Sequence, residues 1–205
     1  ALCAAYHGHM SVTTDINPFL VWLTQAKTAH YSPQEIVAAR NLCVMALDLV
    51  RRESIEPVPA PPIHNIERWW SPKALDFLRL LRAAITAVAP DHCVERTLLL
   101  IAFCRSLIGL SNAAFNHQSM SFKDGGQLDI GFDVDMPEVF AEDMRFVLNG
   151  ACENPLGIGH VIFGDSRNPA GVVEGLFDLV VTSPPYANRM SYIRELRPYM
   201  FWLGF

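Results

Sequence analysis

The sequence has 205 residues, of which 51% are hydrophobic and 18% are charged, and its formal net charge is −5. This length allows one well-buried domain, or one domain with an insertion, and the composition is globular and not that of a disordered chain. The acidic balance argues against a protein that wraps nucleic acid over its whole surface, although it leaves room for a local basic cleft.

The cysteines are scattered along the chain and form no Cys-x-x-Cys pair. The sequence therefore predicts neither a disulfide framework nor a metal site, and it favours buried thiols in a reducing, cytoplasmic compartment. No signal peptide is visible, and the most apolar run, residues 97–104, is too short to span a bilayer. The chain begins inside one helical pattern and stops directly after another, so we expect a fragment of a longer protein.

The first segment combines a strand, an acidic residue and a helix. A short helix over residues 2–6, with Gly8 as its C-cap, precedes a β-branched run that predicts a strand ending at Asp15. Asn17 and Pro18 then suit the N-cap and the first position of another helix.

A helical block follows, which we place at residues 31–110. Ser32 and Glu35 form a capping box at its start, and residues 56–62 are a proline-rich linker. Asp91 is predicted to cap the last helix of the block. The predicted helices cover residues 33–52, 72–89 and 94–110. Their apolar stripes favour structural packing.

The last part of the chain alternates between helices and strands. Helices are predicted over residues 136–149, 169–175 and 191–203, and strands over residues 159–163 and 177–182. Gly150 is predicted to cap the first of these helices. Strands that alternate with helices predict a parallel sheet with a doubly wound core. Polar residues after Asp15, Phe163 and Thr182 would then line one edge of that sheet.

Two of these strand ends carry an acid. Asp15 suits a carboxylate that accepts hydrogen bonds from both ribose hydroxyls of a nucleotide, and the alternative is an acid that merely caps the following helix. Asp165 could accept from the exocyclic amine of an adenine ring, and the alternative is a turn residue that bonds to its own backbone. The residues alone leave both alternatives open.

The third strand end reads Ser183-Pro184-Pro185-Tyr186. The Ser183 oxygen and the Pro184 carbonyl suit the two hydrogens of an exocyclic amine on a planar base, and accepting them makes that nitrogen more nucleophilic. The prolines would hold the carbonyl fixed, so little reorganisation is needed on reaction. Tyr186 could stack on a base that has been flipped out of a duplex. The alternative is a strand that ends in a proline turn with a packed tyrosine.

Residues 182–186 resemble motif IV of the S-adenosylmethionine-dependent amino-methyltransferases of DNA. The serine form of this motif is typical of enzymes that methylate cytosine N4, whereas the aspartate form dominates among adenine N6 enzymes. Three other parts of the sequence also resemble the family pattern. Residues 15–19 with 27–28 resemble the stretch after motif I, and residues 164–166 resemble motif III. Residues 188–192 with 202–204 resemble the stretch after motif IV.

The resemblance implies a Rossmann-like class I methyltransferase sheet with an α-helical insertion. Residues 1–30 would be a partial cofactor-binding α/β unit, 31–110 the insertion and 111–205 the remainder of the catalytic domain. The resemblance also implies that S-adenosylmethionine is bound by Asp15, Ile16, Asp165 and Ser166. The family's loop of the Asp-Pro-Phe-x-Gly-Ser-Gly type should precede Leu2 and is absent, so the methionine part of the cofactor lacks its cradle in this chain.

The expected partner is double-stranded DNA, and a cognate restriction endonuclease of the same system is a further expectation. Arg189, Arg194 and Arg197 form a local basic patch that could contact phosphates, and the alternative is a solvated helix face. Trp69 and Trp70 could stack on bases, but packing against the sheet is favoured. An adenine N6 enzyme, an RNA amino-methyltransferase and an inactive DNA-binding fragment remain alternatives to the cytosine N4 enzyme.

Overall fold

The computed structural model describes residues 1–114, 121–122, 134–168, 175–182 and 193–205. In chain order, the elements are α1 (Leu2–Tyr6), β1 (Ser11–Asp15), α2 (Pro18–Thr28), α3 (Pro33–Arg51), α4 (Ile66–Trp69), α5 (Pro72–Val88), α6 (Val94–Gly109), β2 (Ala113–Ala114), β3 (Ser121–Phe122), α7 (Met136–Cys152), β4 (Gly159–Phe163) and α8 (Ile193–Leu203). The fold is mixed α/β and mostly helical.

The chain forms two compact units. Ala1–Ala29 and Pro155–Phe205 make up the first, which we call the sheet unit, and His30–Asn154 make up the second, which we call the helical unit. No helix in the described ranges is long and apolar enough to cross a membrane.

The sheet unit is built on two parallel strands, β1 and β4, which are paired in register from Ser11 with Gly159 to Asp15 with Phe163. The hydrogen-bond ladder continues beyond the last pair, because the backbone N–H of Gly164 donates to the Asp15 carbonyl at 3.0 Å. Strand β1 is β-branched from Val12 to Thr14, which suits a pleated and half-buried strand.

Helices α2 and α8 of the sheet unit contact each other through aromatic side chains. Phe19 at the start of α2 stacks on Tyr199 of α8, with ring centroids 5.3 Å apart and an interplanar angle of 4°. Phe205 meets the same Phe19 ring edge-on at 5.8 Å. Trp202 is buried. Burial of Phe19 and Trp202 stabilises this side of the sheet unit.

The helical unit packs α3, α5, α6 and α7 around an apolar core. Its largest fully buried side chains include Trp70, Phe103 and Phe140. The start and end of the unit are joined by Asn154. Its side-chain oxygen accepts from the Tyr31 backbone N–H at 2.7 Å, and its side-chain nitrogen donates to the Tyr31 carbonyl at 2.9 Å. The two ends of an inserted segment are therefore hydrogen-bonded to each other.

The extent of this unit differs from the expected block of residues 31–110. The compact unit continues to Asn154 because α7 packs against α6 and α3. The contact between α6 and α7 includes a polar pair, in which the buried Ser106 hydroxyl donates to the Asp143 carboxylate at 2.7 Å.

Several predicted helix ends are confirmed, and two are corrected. The capping box of Ser32 and Glu35 forms, and Asn17 caps α2. Helix α6 is capped by Cys93, whose sulfur accepts from the Arg96 backbone N–H, and not by Asp91, which pairs with the Arg96 side chain at 2.6 Å. Gly150 is not a cap, because α7 continues through it to Cys152.

Residues 177–182, which the structure describes, form no strand, contrary to the prediction from their apolar run. A strand requires a neighbour for its backbone groups, and residues 177–182 pair with neither β1 nor β4. Leu179, Val180 and Val181 are accordingly 78%, 80% and 84% exposed. The predicted helix over 169–175 lies mostly outside the described residues.

Candidate functional site

The parallel pairing of β1 and β4 brings two predicted site residues to one edge of the sheet. Asp15 is the last residue of β1, and Asp165 comes two residues after the end of β4. Because the strands are parallel and adjacent, both carboxyl ends meet at the same edge. In α/β folds this edge is where ligands bind. We call it the carboxyl edge.

Asp15 keeps acceptor capacity at this edge. One of its oxygens accepts from the Asn17 backbone N–H at 2.8 Å, which fixes the turn between β1 and α2. The cap of α2 is Asn17 itself, whose side-chain oxygen accepts from the Phe19 backbone N–H at 2.9 Å. Asp15 is therefore not the helix cap. A carboxylate has about four lone-pair sites, so Asp15 can still accept from ribose hydroxyls.

Two large apolar side chains are exposed beside these acids. Ile16 is 61% exposed, and Phe163, the register partner of Asp15, is 62% exposed. Paired residues of neighbouring strands lie on the same face of a sheet, so Phe163 and Asp15 share one face. The sequence pointed to Ile16 but missed Phe163, although an aromatic residue at the last position of the strand was a usable signal.

The Asp165 carboxylate is hydrogen-bonded to a nearby side chain that the sequence prediction did not include. Arg167 Nε lies 3.0 Å from one oxygen of Asp165 and 2.9 Å from the other, and the Arg167 backbone N–H donates to the first oxygen at 2.9 Å. The hydrogen bonds from the Arg167 side chain and backbone lower the pKa of Asp165 to about 2. Ser166, between them, is exposed. Asp165 lies in a turn, as the alternative interpretation predicted, because the Asn168 backbone N–H also donates to the Asp165 carbonyl.

The predicted base-binding residues, Ser183, Pro184, Pro185 and Tyr186, lie outside the described residues, and so does Arg189. Arg194 lies in α8, but its side chain is outside the description. Arg197 is exposed on α8. The structure thus places the predicted cofactor residues at one edge of the sheet, and both their binding of a cofactor and the base-binding half of the site stay predictions.

The paired tryptophans belong to the helical unit. Trp70 is fully buried and its ring N–H donates to the Leu107 carbonyl at 2.8 Å, so this residue packs inside the helical unit and not against the sheet, where it was expected. Trp69 is half-buried, and Phe122 meets it edge-on at 5.2 Å. Within the part of the chain that the structure describes, no group of three or more His, Cys, Asp or Glu side chains could hold a metal ion.

Comparison of the chain with protein-family models, with curated proteins and with solved structures finds no match in any of the three. The carboxyl edge is therefore interpreted from its own residues. It offers one carboxylate with free acceptor capacity, two exposed apolar side chains and a carboxylate that is paired with an arginine.

Proposed function

We propose that this chain belongs to a class I methyltransferase that moves a methyl group from S-adenosylmethionine to the exocyclic amine of a base in double-stranded DNA, with cytosine N4 as the favoured target. The observation that carries the proposal is the parallel pairing of β1 with β4, which puts Asp15 and the Gly164-Asp165 turn at one edge. These are the two strand ends for which the sequence suggested the cofactor residues.

The residues at the carboxyl edge fit the nucleoside part of this cofactor. Asp15 has the acceptor capacity that two ribose hydroxyls require. Ile16 and Phe163 expose apolar surface that a planar adenine ring could cover. When bound, S-adenosylmethionine supplies the electrophilic methyl group.

The base would be held by the residues that follow position 182. In this proposal, Ser183 Oγ and the Pro184 carbonyl accept the two amine hydrogens, which keeps the nitrogen lone pair directed out of the ring plane. Tyr186 stacks on the flipped base. The nitrogen would form a bond to the methyl carbon as the carbon–sulfur bond breaks, S-adenosylhomocysteine would leave, and the nitrogen would lose one proton to solvent. Arg189, Arg194 and Arg197 hold the phosphates of the strand from which the base is flipped.

Nucleoside analysis tests this proposal directly. The chain is expressed together with the upstream cofactor loop that the family resemblance implies, it is incubated with duplex DNA and methyl-labelled S-adenosylmethionine, and the DNA is then digested to nucleosides. We expect label in N4-methylcytosine. Label in N6-methyladenine would assign the alternative target, and label only in RNA would assign an RNA enzyme. DNA binding without cofactor binding or label would contradict the enzyme proposal and leave the DNA-binding interpretation.

Ser183→Ala separates the role of the amine acceptor from that of the cofactor residues. We expect single-turnover methyl transfer to fall roughly 10²- to 10³-fold, by analogy with the removal of one preorganised polar contact from a catalytic site. Cofactor affinity should stay close to that of the wild type. Asp15→Asn should show the opposite pattern, and Ser54→Ala, at an exposed serine of the helical unit, is the matched control. Equal losses of transfer and affinity in Ser183→Ala would contradict the assigned role.

A further inference from the structure

Arg167 takes up most of the acceptor capacity of the Asp165 carboxylate. Its first oxygen accepts from the backbone N–H and from Nε of Arg167, and its second oxygen accepts from Nε and from a terminal guanidinium nitrogen. These four contacts come from three N–H groups, because the single Nε–H is shared between the two oxygens, and an ionised carboxylate has about four lone-pair sites. An amine that approached Asp165 would therefore compete with Arg167 for both oxygens.

The ion pair between Asp165 and Arg167 forms between near neighbours in the chain, and breaking it takes little free energy. Arg167 follows Asp165 by two residues, so the ion pair needs no support from distant parts of the chain. The Arg167 side chain is 85% exposed and that of Asp165 is 36% exposed. Ion pairs this exposed contribute little stability and are screened by salt. The pair can thus exchange one partner for another without disturbing the sheet.

We propose that Arg167 masks Asp165 and is displaced when the exocyclic amine of an adenine nucleoside takes its place. The inference rests on the proposed function, because the ligand with that amine is the adenine-bearing cofactor. Arg167 then lowers the affinity of the carboxyl edge for ligands that carry this amine and leaves the affinity for nucleosides that lack it unchanged.

Arg167→Gln tests the masking role in the whole 205-residue chain. The probes are S-adenosylhomocysteine and adenosine, with inosine, which lacks the amine, as the comparison ligand; binding is measured by calorimetry. We expect Arg167→Gln to tighten the adenine probes roughly two- to fivefold, which is the range for an exposed ion pair, and to leave inosine unchanged.

Two control variants define the effect. Arg52→Gln removes another exposed arginine from an ion pair, the one with Asp48, and it should leave all affinities unchanged. The double variant Asp165→Ala with Arg167→Gln should lose the gain in affinity, because the unmasked carboxylate is absent.

A readout without any ligand tests the ion pair itself. The carboxyl carbon resonance of Asp165 should titrate with a midpoint below the ordinary range of aspartate in the wild type, and in Arg167→Gln the midpoint should rise toward that range. An ordinary midpoint in the wild type would overturn the inference.

The remaining outcomes separate this inference from the proposed function. If the wild type binds adenine probes and Arg167→Gln binds them equally or more weakly, the masking role is overturned and the cofactor proposal stands. If no variant binds an adenine probe, the cofactor part of the proposed function fails and the inference fails with it.

Discussion

Asp15 and Asp165 lie at one edge of the sheet, yet their carboxylates differ in what they can still bind. One oxygen of Asp15 accepts a hydrogen bond from a backbone N–H, whereas both oxygens of Asp165 accept hydrogen bonds from Arg167. The sequence predicted similar roles for the two acids because both follow a strand. The difference comes from the side chain two residues further along the chain, which strand and helix patterns do not describe.

The thiols differ in burial at the same residue scale. Cys43 and Cys104 are buried, and burial raises their pKa values to about 11 and about 12. Cys3 and Cys152 are exposed. The thiolate is the reactive form of cysteine, so a raised pKa lowers the reactive fraction at any given pH.

We predict that an alkylating reagent at mildly alkaline pH labels Cys3 and Cys152 rapidly and leaves Cys43 and Cys104 unlabelled until denaturant is added. Both burial and the raised pKa of the last two thiols act in this direction. Mass spectrometry of tryptic peptides over time provides the measurement. Rapid labelling of Cys104 in the native protein would contradict the packing of α6.

Two glycines differ in how much space their surroundings leave for a side chain. A Cβ at Gly157 would overlap the His9 carbonyl oxygen and lie 2.8 Å from the Gly8 carbonyl carbon. The close approach lets the Gly157 backbone N–H donate to the Ala5 carbonyl at 2.7 Å, which ties α1 to the chain before β4. A Cβ at Gly150, inside α7, meets nothing within 4 Å.

We predict opposite signs for the two alanine substitutions. Gly157→Ala should destabilise the sheet unit by roughly 1–3 kcal/mol, because backbone atoms must move to admit the methyl group. Gly150→Ala should stabilise α7 by roughly 0.5–1 kcal/mol, because glycine is the poorer helix former. Urea unfolding followed by circular dichroism measures both, and two changes of the same sign would refute the packing described for Gly157.

Elements whose signals are local could be predicted from the sequence, whereas the sequence does not show whether an apolar run finds a distant strand to pair with. The caps at Asn17 and Ser32 depend on neighbouring backbone N–H groups, and both form as predicted. Strand β4 was also predicted correctly. Residues 177–182 carry the same kind of apolar run, but a run does not reveal whether a neighbouring strand is present. Cys93 was missed because a thiol is an uncommon helix cap.

At the scale of the whole molecule, the helical unit is closed where it begins and ends. The side-chain oxygen and nitrogen of Asn154 are both hydrogen-bonded to the backbone of Tyr31. Burial, with a smaller contribution from Glu35, raises the pKa of Tyr31 to about 12, so its phenol stays protonated there. The compact unit extends past residue 110 because α7 packs on α3 and α6, and nothing local in the sequence of α7 indicated this packing.

We predict that residues 30–154 fold when expressed alone, because the unit has its own core and its ends are hydrogen-bonded to each other. The excised unit should melt cooperatively, and Asn154→Ala should lower its stability by roughly 1–2 kcal/mol through the loss of two hydrogen bonds. Thermal unfolding by circular dichroism provides the measurement. A gradual, non-cooperative melt would show that the unit depends on the remainder of the chain.

The exposed run before position 183 also affects how the chain behaves in concentrated solution. Residues 176–181 read Leu-Phe-Asp-Leu-Val-Val, a short window of strong β-propensity in which Asp178 is the only charge. Such windows self-associate when exposed, and a charge inside them or prolines beside them oppose this. Asp178 and the two prolines at 184 and 185 thus act as gatekeepers against aggregation, independently of any catalytic role of the prolines.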